Sequence, residues 1–324
     1  MVGQEAPGAP GDLSAPLPMA PARADAARPR FRHFLAIDWS GAATRLLRGI
    51  ALGLCSTGAG APRLVRPPAE RHWSREAVLD YLLNDLPPDT LVGLDLGMSL
   101  PFADAGAFFP DWADSPADAR ALWRMVDGLC APDPHLGASA FVDHPAASAY
   151  FRRHGEREGE RFHLAGAAHK RGRFRVTEIA QERLGCRPYS NFNLVGAAQV
   201  GKSSLTGMRL LHRLQRRLFV WPVDGLAPPP LGSVVVEIYT AIPALAAMRS
   251  AGRSKIRDGA DLDAALAVLG AEPSGLAGAI DDHSADALLS AAWLRRHAGD
   301  AGLWHPQALT PQVARTEGWT FGAA

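Results

Sequence analysis

The 324-residue sequence has few cysteines, few lysines and no long hydrophobic run, and these shortages exclude several classes of protein. Its three cysteines, Cys55, Cys130 and Cys186, lie far apart, without a Cys-x-x-Cys pair or a Cys/His ligand spacing. A disulfide framework and a zinc site are therefore not expected, and we predict reduced thiols and a cytoplasmic location. Because no apolar run approaches the roughly 20 residues of a membrane helix, we expect no membrane partner.

Charge and composition give two further constraints. The formal net charge is only +1, so no global field selects a partner, while 47% apolar residues suffice for a core. Residues 1–32 are rich in Ala, Pro and Gly and lack a compact apolar segment. They are predicted to be a disordered tail rather than a signal peptide. We expect a single domain over 33–324.

The pattern of apolar runs predicts an α/β protein. Strands are expected at 31–37, 48–55, 63–66, 91–94 and 232–239, and helices at 74–86, 118–129, 203–218, 262–269 and 282–297. Three strands, a helix and then a buried strand form the opening order of an RNase H-like fold, and they suit a mixed sheet flanked by helices. Residues 102–231 interrupt this order and are predicted to be a large, mainly helical insertion.

Five acidic residues are the most informative feature of the chain. Asp38 and Asp95 follow predicted strands, Glu237 lies within one, and Asp282 and Asp286 share one face of the last long helix. Carboxylates that cluster repel one another unless a cation holds them, so convergence of the five would indicate a hard divalent metal site. Each acid taken alone is more simply structural, and helix capping is the competing explanation for Asp282.

Five segments carry a resemblance to a known family. They are AIDWSGA (36–42), GLDLGMSLPF (93–102), VVVEIYTAIPAL (234–245), DDHSADALLSAAWL (281–294) and EGWTFG (317–322). Together they resemble domain-of-unknown-function family 429, which is described as predicted nucleases of RNase H-like fold. The segment around Asp286 is also similar to the last active-site helix of Holliday-junction resolvases. The resemblance implies Asp38, Asp95 and Asp286 as core metal ligands, completed by Glu237, Asp282 or His283.

The chemistry expected of such a site is metal-dependent hydrolysis of phosphodiester bonds. Two Mg²⁺ or Mn²⁺ ions about 4 Å apart would activate the attacking water and stabilise the leaving oxyanion. A site built mainly of Asp and Glu favours these ions over zinc. The expected substrate is a nucleic acid or another phosphodiester, and the expected enzyme is a nuclease.

Residues Gly196–Ser203 match the phosphate-loop pattern G-x-x-x-x-G-K-S. The preceding residues 189–195 have only scattered apolar side chains, whereas a phosphate loop should follow a buried strand. We therefore favour a glycine-rich loop that caps a helix near the active site, where Lys202 and Ser203 could receive a substrate phosphate. A nucleotide-binding ATPase or GTPase stays open as an alternative, and ATP or GTP binding that is lost in Lys202→Ala would favour it.

Basic residues are concentrated in the middle of the chain. Residues 152–217 contain fifteen Arg or Lys against five Glu. This excess predicts a surface that orients a polyanion, with Arg209 among the candidate phosphate contacts, although a solvated charged face explains it equally well. Lys255, in a second basic cluster, is a further candidate for contact with the scissile phosphate. A binding module that keeps the fold without catalysis is the remaining alternative.

Overall fold

A computed structural model describes residues 30–155, 157–163, 172–196, 199–249 and 255–324. The predicted tail therefore lies almost wholly outside the described residues. The last part of the predicted tail is ordered, because Phe31 is buried and stacks on Trp304 with ring centroids 6.1 Å apart. None of the helices in the described part of the chain has the length and apolar content needed to cross a bilayer. All three cysteines are buried as free thiols.

A six-stranded mixed sheet forms the centre of the molecule. Its strands are β1 (His33–Asp38), β2 (Ala51–Ser56), β3 (Arg63–Val65), β4 (Thr90–Asp95), β7 (Phe219–Val220) and β8 (Val234–Ile238). The order across the sheet is β3-β2-β1-β4-β8-β7. Strand β2 runs antiparallel to β1 and β3, whereas β1, β4, β8 and β7 are mutually parallel. Strands β5 (Arg152–Arg153) and β6 (Arg157–Glu158) form a separate small hairpin.

Ten α-helices accompany the strands within the described residues. They are α1 (Arg75–Asp80), α2 (Ala119–Leu129), α3 (Ser139–Asp143), α4 (Val176–Arg183), α5 (Val200–Arg213), α6 (Ala241–Ala246), α7 (Gly259–Val268), α8 (Asp282–His297), α9 (Ala301–Trp304) and α10 (Pro311–Thr316). Helix α1 continues as a π-helical turn over Tyr81–Asp85, and a 3₁₀ turn covers Ala147–Tyr150.

The two faces of the sheet bury two separate hydrophobic clusters, because side chains alternate along each strand. Leu35, Ile37, Val92 and Val235 point to the face covered by α1, α2 and α5. Phe34, Ala36, Leu91 and Val234 point to the opposite face, which α8 covers with Leu288, Leu289 and Ala292. The alternation determines which acidic side chains can meet α8.

The predicted α/β class, with a mixed sheet flanked by helices, and the predicted elements are confirmed. Each predicted strand and helix is present, with ends shifted by a few residues, and Ser74 and Asp118 cap α1 and α2 as N-cap acceptors. The region 102–231, which the sequence predicts to be an insertion, is packed against the central sheet and contributes a strand to it. Its helices α2 and α5 pack on the sheet, and its strand β7 extends the sheet beyond β8.

Candidate acidic site at the strand ends

Two aspartates occupy the carboxyl ends of the central strands. Asp38 ends β1, Asp95 ends β4, and the two residues are direct partners in the parallel pairing. Neighbouring strands lie about 4.8 Å apart, so the register places the two carboxylates side by side. Both side chains point to the face covered by α8. Residues two or four positions apart in a strand share a face, and Ala36 and Leu91 lie on the face covered by α8.

Helix α8 approaches this edge closely because β2 has a glycine under it. A Cβ on Gly53 would lie 2.4 Å from the carbonyl oxygen of Ala287, so any larger residue would move the helix away. The helix begins after Asp281, whose carboxylate accepts a hydrogen bond from the Ser284 amide at 2.9 Å. Capping is thus the role of Asp281, and the acids that follow it are free for other contacts.

The first two turns of α8 bring His283 and Asp286 to the strand ends. His283 Nδ1 lies 2.9 Å from Asp38 Oδ2. Asp38 is almost fully buried, whereas the His283 side chain is 48% exposed. Asp286, one turn further on, is partly buried and accepts no hydrogen bond from the described residues. Asp95 is held from the other side by the amide and hydroxyl of Thr240, each at 3.3 Å.

The three aspartates interact electrostatically, and none of them forms an ion pair with a described lysine or arginine, although the charge of Lys255 opposes the rise in the pKa of Asp286. Burial raises the pKa of Asp95 well above its usual range, and the charges of Asp38 and Asp286 raise it further. Burial, followed by the charges of Asp38 and Asp282, raises the pKa of Asp286 to about 7. Burial also raises the pKa of Asp38, although His283 opposes the shift. The hydrogen bond to Asp38 raises the pKa of His283, and burial opposes this shift.

Asp282 forms surface ion pairs, although its charge also contributes to the raised pKa of Asp286. Its carboxylate lies 2.6 Å from Lys255 Nζ and 3.6 Å from Arg257 Nε. The hydrogen bond from Lys255 lowers the pKa of Asp282. The predicted contribution of Asp282 to a ligand set is therefore not supported by its contacts, and capping is not its role either. Lys255 remains exposed at the border of the acidic site, where the sequence placed a phosphate contact.

Glu237 lies on the opposite face of the sheet from the aspartates. It pairs with Leu94 rather than with Asp95 in the β4–β8 register, so its side chain points away from α8. Its carboxylate accepts hydrogen bonds from Arg175 at 2.6 and 2.8 Å and from the Met98 amide at 2.7 Å. It also accepts one from the hydroxyl of Thr320. With every oxygen engaged, Glu237 is a buried structural anion, and its prediction as a metal ligand is not supported.

Arg175 connects Glu237 to Glu178 and to the C-terminal segment 317–322. This buried guanidinium also contacts Glu178 at 2.6 Å and the carbonyl oxygen of Glu317 at 2.9 Å. Burial opposes the charged form of Arg175, but the charges of Glu178 and Glu237 outweigh burial and raise its pKa. The carboxylate of Glu317 accepts hydrogen bonds from the amides of Phe102, Ala103 and Val176. The segment 317–322 therefore has a structural function in connecting the strand ends.

The predicted six-residue ligand set is not assembled as a unit. Within the described ranges, no three His, Cys, Asp or Glu side chains are grouped closely enough to hold a metal ion. The members that share one environment are Asp38, Asp95, Asp286 and His283. The group offers oxygen donors with an excess of negative charge, which is the donor chemistry that Mg²⁺ and Mn²⁺ accept.

The start of α5 lies beside the acidic site. A Cβ on Gly41, in the loop after Asp38, would lie 2.5 Å from the backbone of Lys202 and Ser203, and Trp39 Nε1 donates to Thr206 Oγ1 at 3.1 Å. Ser203 and Asp95 line a common cavity of about 150 Å³. Residues 197–198 of the phosphate-loop pattern fall outside the described ranges. In the described residues just before this pattern, Asn193 forms only an isolated bridge to Arg152, so no described strand of the sheet leads directly into α5.

About half of the described arginines and lysines of the basic middle form ion pairs, which neutralises part of the predicted polyanion surface. Seven of its arginines contact acids: Arg152, Arg153, Arg161, Arg173, Arg175, Arg209 and Arg213. Arg209 is 1% exposed and binds Asp127 at 2.9 Å, so its contacts do not support the prediction that it contacts substrate phosphate. Lys202 Nζ lies 3.5 Å from His154 Nε2 at the surface.

Arg75 is a positioning residue that the sequence did not reveal. It is fully buried and donates to the carbonyl oxygens of Ser40 (2.9 and 3.1 Å), Ala42 and His135 (2.6 Å), which fixes the loop that follows Asp38. Burial lowers its pKa to about 10. A signal was present, because Arg75 shares the helical spacing of the buried Val78 and Leu82, where an apolar residue is expected.

Comparisons with protein-family models, curated proteins and solved structures found no match to this chain.

Proposed function

We propose that the protein is a metal-dependent phosphodiesterase of the nuclease type, with its active site at Asp38, Asp95 and Asp286. The observation that carries the proposal is three mutually repelling carboxylates at the carboxyl ends of parallel strands, with no arginine or lysine of the described residues paired to them. Carboxylates arranged in this way favour binding of a divalent cation, because the cation removes the repulsion that burial has strengthened. Sites with such perturbed carboxylates are also where catalysis concentrates.

The fold supports the same proposal. The order β3-β2-β1-β4-β8, with β2 alone antiparallel among these central strands, is the arrangement expected of an RNase H-like sheet. Asp38 on the first strand, Asp95 on the fourth and Asp286 on a late helix occupy the positions that the resemblance to family 429 implies. Membership of that family and the RNase H-like assignment are parts of this proposal.

The residues of this site would have two roles, namely binding the metal ion and orienting the ligands that bind it. Asp38, Asp95 and Asp286 would hold Mg²⁺ or Mn²⁺ after rotation of their side chains, and a bound ion would lower the pKa of a water and stabilise charge on the phosphate. His283 fixes the orientation of one Asp38 oxygen and, being half exposed, can hold a proton at the border between the site and solvent. Thr240 orients Asp95 in the same way.

The test is cleavage of a panel of DNA and RNA substrates with and without Mn²⁺ or Mg²⁺, comparing wild type with Asp286→Asn and Asp38→Asn. We expect each substitution to lower the rate on the order of a hundredfold or more, because a lost ligand removes several kcal/mol of transition-state stabilisation. Asp286→Asn is the cleaner variant, since Asp286 accepts no hydrogen bond from the described residues.

Asp282→Asn is the matched control on the same helix. Because Asp282 forms surface pairs with Lys255 and Arg257, its substitution should change the rate by only a fewfold. Equal cleavage by wild type and Asp286→Asn would contradict the proposal. An equal loss in Asp282→Asn and Asp286→Asn would show that the ligands are not those assigned from the structure.

A further inference from the structure

A basic groove opens beside the acidic site and is not part of it. It has a volume of about 710 Å³ and lies between the β2–β3 edge of the sheet, the segment that leads to α1 and the start of α8. Its wall includes Arg48, Arg63, Arg66 and Arg71, together with His72. His283, which contacts Asp38, lines the same groove, so the groove leads to the proposed reaction centre.

The four arginines of this groove differ from those of the basic middle. All four are exposed, and none forms an ion pair or side-chain hydrogen bond with the described residues. Asp281 is the acid that contributes to the wall, and its carboxylate is engaged in capping α8. Among the described residues, the groove therefore presents four guanidinium groups without an ion-pair partner, whereas about half of the described basic residues at 152–217 are paired.

The chemistry of the wall favours phosphates over bases. Trp73, the indole in the wall, is 3% exposed and packs edge-on against Tyr81 with centroids 5.9 Å apart. A buried indole cannot provide the flat, exposed surface on which unpaired bases stack. Guanidinium groups, in contrast, bind phosphate oxygens through paired N–H donors.

We propose that this groove binds the sugar–phosphate backbone of a nucleic acid and guides it, without reading its sequence, to Asp38, Asp95 and Asp286. This inference rests on the proposed function, because it names the substrate class of the same site. Four exposed guanidinium groups along one groove suit a polymer with many phosphates better than a small phosphodiester, which would occupy one or two of them.

The test is binding of a labelled duplex of about 24 base pairs, in DNA and RNA forms and in two unrelated sequences, to the full chain in EDTA over 50–200 mM salt. We expect similar affinity for both sequences and a steep salt dependence. With the DNA duplex, Arg66→Gln/Arg71→Gln should flatten the slope of log K against log salt by about 1.8, since each lost phosphate contact contributes about 0.9. Affinity should fall on the order of tenfold or more at 0.1 M salt.

Arg124→Gln/Arg216→Gln is the matched control. These arginines are also exposed, but they line a different cavity, beside α2 and α5. The control should bind with the wild-type slope, and thermal unfolding should confirm that both double variants are folded. Equal effects of the two double variants, or salt-insensitive binding by wild type, would overturn the proposal. Tight binding of acidic peptides that competes with the duplex and is equally lost in Arg66→Gln/Arg71→Gln would also overturn it.

Failure of this inference and failure of the proposed function give different results. If Arg66→Gln/Arg71→Gln binds and cleaves like wild type, the groove assignment is wrong while the aspartate site stands. If wild type binds through the groove but cleaves nothing with Mg²⁺ or Mn²⁺, the groove stands and the catalytic proposal fails.

Discussion

Replacing Glu237 by glutamine separates its structural role from the metal-ligand role that the sequence suggested. Glu237 is 2% exposed and is held by Arg175, Met98 and Thr320. Removing one partner of a buried ion pair costs about 3–5 kcal/mol, because the other charge is left uncompensated. Glu178 still pairs with Arg175 at 2.6 Å, so we expect a value near the lower limit, about 3 kcal/mol.

Thermal and urea unfolding in EDTA measure this effect without involving the acidic site. For a domain of about 290 residues, an unfolding entropy of about 2.1 cal/mol/K per residue converts about 3 kcal/mol into a midpoint lower by about 5 °C. The matched control is Glu70→Gln, which removes an exposed pair with Arg45 at 3.0 Å. Half-exposed pairs of this kind contribute less than about 1 kcal/mol, so this control should unfold close to wild type.

The opposite pattern would refute the structural assignment of Glu237. A ligand in a group of repelling carboxylates destabilises the metal-free protein, so its replacement by glutamine would leave the midpoint in EDTA unchanged or higher. If Glu237→Gln unfolds like Glu70→Gln and has also lost the stabilisation that Mn²⁺ gives to wild type, then Glu237 is a ligand and the face assignment is wrong.

Two further predictions concern the acidic site and its supporting helix. Folding raises the pKa of Asp286 from 3.8 to about 7, so the folded protein should lose stability as the pH rises from about 4 to about 7 and the carboxyl group ionises. Urea unfolding in EDTA should show a loss of up to about 4 kcal/mol relative to Asp286→Asn over this range. A difference between the two proteins that stays constant with pH would contradict this. Gly53→Ala would place a Cβ 2.4 Å from the Ala287 carbonyl and should cost about 1–3 kcal/mol and disturb cleavage, whereas Gly60→Ala, with open space around it, should do neither.

The sequence was sufficient to predict the sheet and two of its aspartates because short-range patterns determine them. Apolar runs that end in Asp38 and Asp95 identify central strands and their carboxyl ends, and parallel neighbours bring such ends together. The register of α8 over β2 depends instead on a long-range contact, the close approach at Gly53. The position of Asp286 was therefore predictable only from its face of the helix and from the family resemblance.

The failures have one physical cause, which is that pairing of charges is not visible in composition. The excess of Arg and Lys at 152–217 predicted a polyanion surface, yet partners from distant segments, such as Asp104 for Arg173 and Asp127 for Arg209, neutralise much of it. Among the described residues, the four groove arginines have no such partner, although nothing in their local sequence distinguishes them. Only the tertiary structure determines which charges are compensated.

Asp95 and Glu237 show that one position in strand register decides whether a carboxylate is paired with a cation or faces other carboxylates. They lie on adjacent parallel strands and differ by one position in register, since Leu94 pairs with Glu237 and Asp95 with Ile238. That single position directs Glu237 to a guanidinium and two further donors, and it directs Asp95 to two other carboxylates. The first environment satisfies a buried anion and holds the strand ends together. The second leaves a charge that only a cation or a proton can balance, and for that reason the aspartates, rather than the most buried acid in the strongest strand, are where we place the chemistry.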